Sequence, residues 1–600
     1  MLKIADFLFP QELEVQPTHL SSCLFIGSCV AEAYVVYFRK QKPSTHIDFV
    51  LFNNVADIGA APPRPIETYD FSYVQLPARH IIGDIAIDFS KFTDATINEN
   101  IVTNSFDALE LMLDAAMKFN KDTGAITFVQ NFVVPQMPVA AGLDNVAGYR
   151  DLKYLMERLN HRLGELVARY KNAYLIDAEA IASSMGKRHF LDDTLVFFTH
   201  GSFWYPDWVD IERGRIEHVP PLEEISEHKL GEYYAAIWRA CEYHYRVVNQ
   251  VDPVKLVIFD LDDTLWRGLI GEHYNDEGPR PISDGWPLGM HEAIHHLKAR
   301  GILVAICSKN NPELVAHRWY RAVPLEWIDL DDFVCVEIGW APKAEAVGRI
   351  MSEVGLTPKS VVFVDDNPVE RSAVQEAFPA IRVLGSNPFL TRRILLNAAE
   401  TQIRVLTDES ARRDRMVRSQ REREAERKTL SREEFLRNLG CRVDLHTITS
   451  SRHPNFDRAF ELLNKTNQFN TTGRRWTPLE AEQHFERGGT IVAFEARDKF
   501  TTYGLVGVVL IAGTEIVQFA MSCRVLGLEI ESGVLNRVVE ALARKAPSTP
   551  VIGTVVATDA NFVCRDVFSK SGFVVRDDGR FACTTASLGA APDHLALNWV

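Results

Sequence analysis

Lys255-Leu-Val-Ile-Phe-Asp-Leu-Asp-Asp-Thr-Leu-Trp266 is the stretch on which the fold turns. Four apolar residues, Leu256 to Phe259, read as a strand buried on both faces, the habit of parallel sheets. Asp260, Asp262 and Thr264 follow at its carboxyl end, where open α/β sheets bind their ligands. An extended chain would point all three the same way; a twist in the loop would instead splay them around one centre. Two carboxylates held together are costly unless a cation or a shared proton relieves them. The pattern therefore suits a nucleophile, an acid/base partner and a divalent metal, although alone it could be an acidic turn.

Three further strand ends supply polar partners. Gly301 to Cys307 is apolar and runs into Ser308-Lys309-Asn310-Asn311. A hydroxyl there, with Asn310 beside it, can bond a phosphoryl oxygen. Lys343, in Gly339-Trp-Ala-Pro-Lys343, opens a helix and can neutralise phosphate charge. Ser360 to Val364 is a third apolar run, ending in Asp365-Asp366-Asn-Pro. Taken singly, each has an ordinary reading as a cap, a surface charge or a turn. Together they match hard-cation chemistry, because Mg²⁺ takes one or two carboxylates plus phosphate oxygens and water. Asp260, Asp262, Asp365 and Asp366 are the candidate ligands.

Six hundred residues imply several domains. A net charge of −15 argues against general nucleic-acid binding. Nine scattered cysteines without a Cys-x-x-Cys pair favour a reducing compartment and no structural zinc. Neither a signal peptide nor an apolar run long enough to span a bilayer is visible, so a cytoplasmic protein without membrane partners is expected. The chain divides on this reading into an α/β domain over 1–250, a second α/β domain over 251–400 around the Asp260 motif, a charged helical linker over 401–435 and a third domain over 436–600.

In the first domain, Leu24-Phe-Ile26 reads as a strand, followed by Gly27-Ser28-Cys29 and a helix. Cys29 would sit at a helix N-terminus, where the dipole lowers a thiol pKa. Ile26 to Glu32 resembles the opening block of the GSCFA and SGNH-hydrolase-like families, with Cys29 at the serine position. That resemblance makes Cys29 a candidate catalytic residue. No Asp-x-x-His follows, which leaves His200 and His218 as substitutes and Asn131 as an oxyanion donor. The alternative is that Cys29 is simply a packed small thiol.

The ordered set from Asp260 to Asp366 resembles the haloacid dehalogenase superfamily. The resemblance implies that Asp260 is the phosphoryl-accepting nucleophile and Asp262 the general acid/base. Thr264 would order the loop, Ser308 would bind phosphate and Lys343 would balance charge. Asp-Leu-Asp-Asp-Thr-Leu-Trp-Arg-Gly, Cys-Ser-Lys-Asn-Asn and Phe-Val-Asp-Asp-Asn-Pro are similar to the FkbH-like branch. That branch implies removing phosphate from 1,3-bisphosphoglycerate and loading the glyceryl group onto the thiol of an acyl carrier protein. The carrier would act in trans, since no Asp-Ser-Leu attachment site occurs. The irregular segment from His273 to Pro287 departs from the branch and would shape a cap-like loop. Cys307 beside Ser308 is either an acyl-bearing thiol or a buried strand-end cysteine. A plain phosphatase acting on a small phosphorylated substrate is the alternative function.

Residues 412–434 are dense in Arg and Glu and read as a solvated helix. Beyond Gly440, strands and one helix alternate around Met521-Ser-Cys-Arg524-Val-Leu-Gly527-Leu-Glu529, which resembles the GNAT acyltransferase fold. A turn opening a helix offers N–H groups to a pyrophosphate or pantetheine arm, so Arg524 and Gly527 are candidate binding residues. Glu529 stands where that fold usually carries Gly or Ala. The expected architecture is thus a multidomain α/β protein, a central Rossmann-like parallel sheet flanked by SGNH-like and GNAT-like domains.

Overall fold

The computed structural model describes the chain except residues 1, 84–94, 137–151, 190–213, 219–223, 225–226, 276, 324–326, 406–429 and 548. The chain forms two compact units, one of Met1–Pro10 with Gln16–Arg246 and one of Gln11–Val15 with Val247–Val600. His200 and most of the expected 412–434 helix lie outside the described residues. No helix among the described residues is long and apolar enough to cross a membrane.

The first unit is built on a parallel sheet of β1 (Ser22–Gly27), β2 (His46–Leu51), β3 (Phe71–Gln75), β4 (Thr127–Gln130) and β5 (Ala173–Ile176). Their order is β2-β1-β3-β4-β5. Helices Cys29–Gln41, Ala95–Ala116, Leu152–Val167 and Leu230–Asn249 alternate with the strands.

The second unit holds two sheets. One is parallel: β6 (Leu256–Phe259), β7 (Leu303–Ser308), β8 (Cys335–Ile338), β9 (Val361–Val364) and β10 (Arg382–Leu384), in the order β10-β9-β6-β7-β8. Val257 and Phe259 join one core cluster and Leu256 and Ile258 another. This burial on both faces accounts for the unbroken apolar run. The order reverses at β6, so β7 and β9 flank the strand that ends in Asp260. Such a switch point leaves a crevice at the carboxyl ends. The turns leaving β7, β9 and β10 share one device. Asn311, Asn367 and Asn387 each cap a helix with the side-chain oxygen, and Pro312, Pro368 and Pro388 open it. Proline loses nothing there, because the first helical N–H has no partner within the helix.

The other sheet is mixed: β11 (Arg442–Ile448), β12 (Thr490–Arg497), β13 (Thr502–Ala512), β14 (Glu515–Met521), β15 (Val551–Gly553), β16 (Val574–Val575), β17 (Phe581–Cys583) and β18 (Ala596–Trp599). It runs β16-β17-β15-β14-β13-β12-β11-β18. β14 and β15 pair only at Glu515–Ile552 and Ile516–Gly553, then part. The chain's own Phe469–Thr471 segment lies along the freed edge of β14. Thr471 N donates to Phe519 O over 3.0 Å, and Met521 N donates to Phe469 O over 2.9 Å.

Candidate active site

Asp260 leaves β6 buried, and the chain turns at once. Asp263 takes a left-handed φ of 50°, and its carboxylate accepts from Gly268 N over 2.6 Å. The turn sends Asp260 and Asp262 to different partners, so the loop is splayed rather than extended. Asp262 Oδ1 accepts from Trp266 Nε1 at 2.8 Å and Ile270 N at 2.9 Å, and Oδ2 from Asn310 Nδ2 at 2.9 Å. The same Asn310 amide reaches Ser308 Oγ at 3.3 Å. Asn310, expected to meet substrate, holds the acid/base candidate to the phosphate-binding candidate.

Lys343 opens the Lys343–Val354 helix and is buried. Its Nζ lies 2.8 Å from Asp260 Oδ2 and 2.6 Å from Asp365 Oδ2. Burial alone would lower the ammonium pKa, but the two carboxylates outweigh it and raise the value. Burial lifts the Asp260 carboxyl above its ordinary value; Lys343 offsets part of this and Asp365 adds to it. Asp366 is raised as well, first by burial and then by Asp365.

Oxygens of Asp260, Asp365 and Asp366 lie within 4.8 Å of one another. Asp262, expected among the metal ligands, stands outside this trio because three N–H donors hold it elsewhere. Two side-chain oxygens here are buried with no hydrogen-bond partner, Asp260 Oδ1 and Thr264 Oγ1. A buried carboxylate oxygen without a partner is expensive. The trio and the orphaned oxygen fit a hard divalent cation with oxygen ligands.

Several residues that build this site carried no signal of their own. Gly385 has φ +123°, and a Cβ there would stand 2.0 Å from Asp365 O, so only glycine lets the chain leaving β10 pass the strand end that carries Asp365. The Arg371 guanidinium donates to the carbonyls of Asp365 and Asp366 at 2.5 and 2.7 Å. His291 is fully buried and donates from Nε2 to Leu265 O over 3.0 Å, bracing the loop after Thr264. Trp266, inside the opening motif, packs edge-on against Trp319 at 5.6 Å while holding Asp262. The Arg267 guanidinium, 5.4 Å over the Trp286 ring, bonds Ile282 O and so holds the chain at Ile282 and Trp286 beside the motif.

Of the remaining candidates only Cys307 adjoins this cluster, its Sγ 3.9 Å from Lys343 O. Cys307 is buried, and its thiol is pushed up to about 12, chiefly by burial. Cys29 does open the Cys29–Gln41 helix, but the expected lowering of its thiol pKa is not found. Burial raises it and outweighs the backbone hydrogen bonds that lower it. Asn131 donates to Asp177 Oδ1 over 2.7 Å, and His218 is exposed. Arg524 is buried with Nε on Ser522 Oγ at 2.9 Å, and Gly527 turns the chain with φ +82°. Glu529 precedes the Ile530–Lys545 helix in a left-handed conformation.

Comparison with known proteins bears on the same region. Residues 286–377 match the family of haloacid dehalogenase-like hydrolases, a stretch that contains Ser308, Lys343, Asp365 and Asp366. The chain therefore contains a haloacid dehalogenase-like hydrolase domain. No curated protein matches the chain. Among solved structures, the N-terminal part of the protein BF1531 from Bacteroides fragilis, containing a phosphatase domain complexed with Mg, is 18% identical. That match covers 66% of this chain and all (100%) of the other, with a TM-score of 0.45. The 3-deoxy-D-manno-octulosonate 8-phosphate phosphatase from Moraxella catarrhalis, in complex with magnesium, phosphate and KDO, is 17% identical. It aligns over 26% of this chain and 92% of its own, with a TM-score of 0.19.

Proposed function

We propose that the second unit is a Mg²⁺-dependent phosphatase working through a phosphorylated Asp260. The observation that carries this reading is the Lys343 bridge between Asp260 and Asp365, beside an Asp260 oxygen with no partner. Mg²⁺, held by Asp260, Asp365 and Asp366, would supply charge neutralisation at the phosphoryl oxygens. Lys343 adds fixed positive charge, and the Ser308 hydroxyl orients the phosphoryl group. Asp260 attacks phosphorus in line; the new O–P bond forms as the ester O–P bond breaks. Asp262 passes its proton to the departing oxygen, then takes one from the water that cleaves the aspartyl phosphate.

The finer reading adds acyl transfer: 1,3-bisphosphoglycerate or a similar acyl phosphate as donor and a carrier-protein thiol as acceptor, for polyketide or polysaccharide assembly. The resemblance of the motifs around Asp260, Ser308 and Asp365 to the FkbH-like branch supports it. A plain phosphatase on a sugar or other small phosphate ester is the second reading, favoured by the burial and raised pKa of Cys307. Incubating the full chain with Mg²⁺, 1,3-bisphosphoglycerate and a holo carrier protein separates the two. The first reading expects phosphate release and a glyceryl adduct in the intact mass of the carrier or of this chain. Phosphate release with no adduct leaves the plain phosphatase. No Mg²⁺-dependent phosphate release from this or a generic phosphate ester would defeat both.

A further inference from the structure

The turns that leave the second parallel sheet around Asp260 hold large apolar side chains in water. Of the eight exposed large hydrophobic residues described between 251 and 400, five stand beyond the strand ends: Leu269 and Ile282 after β6, Trp340 after β8, Val369 after β9 and Phe389 after β10. Trp340 is the most exposed of them, at 76%. Apolar residues scattered singly over a surface need no explanation, but a set gathered at one crevice marks a binding surface.

The site itself fixes where these residues stand. Gly339 N donates to Ser308 O over 3.0 Å, so Trp340 begins beside the strand end that carries the phosphate-binding candidate. Lys343, three residues on, reaches Asp260 Oδ2 at 2.8 Å, and three residues span at most about 11 Å. On the opposite side the chain leaving β10 passes against Asp365 O at Gly385, four residues before Phe389. Val369 and Phe389 each follow the proline that opens a helix from an Asn-Pro turn, and they are 71% and 66% exposed.

The charged groups between these side chains are engaged with one another or with the backbone. Lys309, after β7, pairs with Glu370, after β9. Because β7 and β9 flank β6, that pair spans the end of the strand carrying Asp260. Arg371 bonds the carbonyls of Asp365 and Asp366, and the Asp263 carboxylate accepts from Gly268 N. Beyond the phosphoryl seat, the mouth therefore offers a ligand apolar surface more than charge.

We propose that this site selects phosphate monoesters whose departing alcohol carries a long apolar chain, with Trp340 and Phe389 as the residues that read it. The inference rests on the phosphatase reading and names its substrate class, without drawing on acyl transfer. A phosphoryl group held at Asp260, Ser308 and Lys343 fixes one end of the ligand, and the rest must leave through the mouth. β8 and β10 each lie two strands from β6, about 10 Å away, which a short leaving group does not cross. Each methylene that a longer one lays against the rim leaves water and adds affinity, and an indole offers it a broad apolar face.

The full chain in Mg²⁺ is titrated calorimetrically with methylphosphonate and with octylphosphonate below its micelle concentration. Phosphonates keep the phosphoryl charge and have no ester bond to cleave. Octylphosphonate should bind at least about tenfold more tightly, the gain from burying about two methylenes. Trp340→Ala/Phe389→Ser should remove that gain and leave methylphosphonate affinity unchanged, while Trp340→Phe keeps most of it. Equal affinity for the two phosphonates overturns the proposal and leaves the phosphatase reading standing. A preference that survives the double variant, or persists in EDTA, also overturns it, because the chain would then bind away from the metal-held phosphoryl group. If neither phosphonate binds in Mg²⁺, the phosphoryl seat is misplaced and both readings fall.

Discussion

The two parallel five-stranded sheets pose the same geometric question and answer it differently. In each, a strand flanked on both sides by parallel neighbours ends at a turn rich in small or polar residues. At the carboxyl ends of β1, β3 and β4 in the first sheet neutral polar groups bond one another, and the orphaned group nearby, Asn53 Oδ1 after β2, is an uncharged amide oxygen. Gln75 Oε1 accepts from Ser28 N at 3.1 Å and Ser28 Oγ at 2.7 Å; Gln130 Oε1 accepts from the Tyr73 hydroxyl at 2.5 Å. At the carboxyl ends of the second, three carboxylates gather around one ammonium and leave Asp260 Oδ1 and Thr264 Oγ1 without partners. A closed set of neutral hydrogen bonds is structure. A crowded set of charges with orphaned oxygens has the donors a cation or phosphoryl group needs. The fold offers the crevice, and the side chains decide whether chemistry can happen there.

The contrast is broken hardest at Asp260. Asp260→Asn should lower Mg²⁺-dependent hydrolysis of p-nitrophenyl phosphate by roughly 10⁴-fold, as for loss of a covalent nucleophile. Gln75→Leu, at the matching place in the first sheet, should leave that rate unchanged. It should cost about 1–3 kcal/mol of stability by stranding the Ser28 donors, measured by urea unfolding.

Next in size is Lys343→Met. Removing the ammonium leaves Asp260 and Asp365 as facing buried carboxylates and should cost about 3–5 kcal/mol in EDTA. Added Mg²⁺ should restore part of the loss by binding the folded state. If the melting temperatures with and without Mg²⁺ moved in parallel with wild type, the trio would not be the cation site.

Gly385→Ala sharpens the comparison by touching only backbone. Its Cβ would collide with Asp365 O in a conformation that glycine alone adopts readily. A loss of about 1–3 kcal/mol and weaker Mg²⁺ affinity are expected, read by thermal melting across a Mg²⁺ titration.

The smallest effect concerns pH. Burial lowers the His291 pKa from 6.5 to about 4. The unfolded chain therefore binds this proton first, and stability falls as pH drops from 6.5 toward about 4. His291→Gln, which keeps a donor for Leu265 O, should flatten that part of the stability curve relative to wild type.

β1, β6, β7 and β9 were legible because burial on two faces writes an uninterrupted apolar run, whereas β2, β3, β8 and β10, short or mixed in polarity, were not read from the sequence. Asp260, Ser308, Lys343 and Asp365 were legible for a related reason: each follows or faces such a run, and the crevice lies at the strand ends. Asp262 was harder to place. Its spacing from Asp260 suggested a shared metal, whereas the left-handed Asp263 turns it toward Trp266 and Asn310. Gly385 and His291 gave no local signal. Their importance comes from what tertiary packing sets against them, Asp365 O in one case and Leu265 O in the other. The Cys29 thiol shows the reverse error: a helix N-terminus favours the thiolate, but partial desolvation of this surface cysteine outweighs it.

The most direct measurement is the state of Asp260 during turnover. The full chain, mixed with Mg²⁺ and p-nitrophenyl phosphate, is quenched in acid within milliseconds and digested, and the peptide bearing Asp260 is weighed. The account predicts a phosphoryl adduct on that peptide, released by mild base and lost in Asp260→Asn. Steady hydrolysis with that peptide unmodified at every quench time, and undiminished in Asp260→Asn, would contradict it.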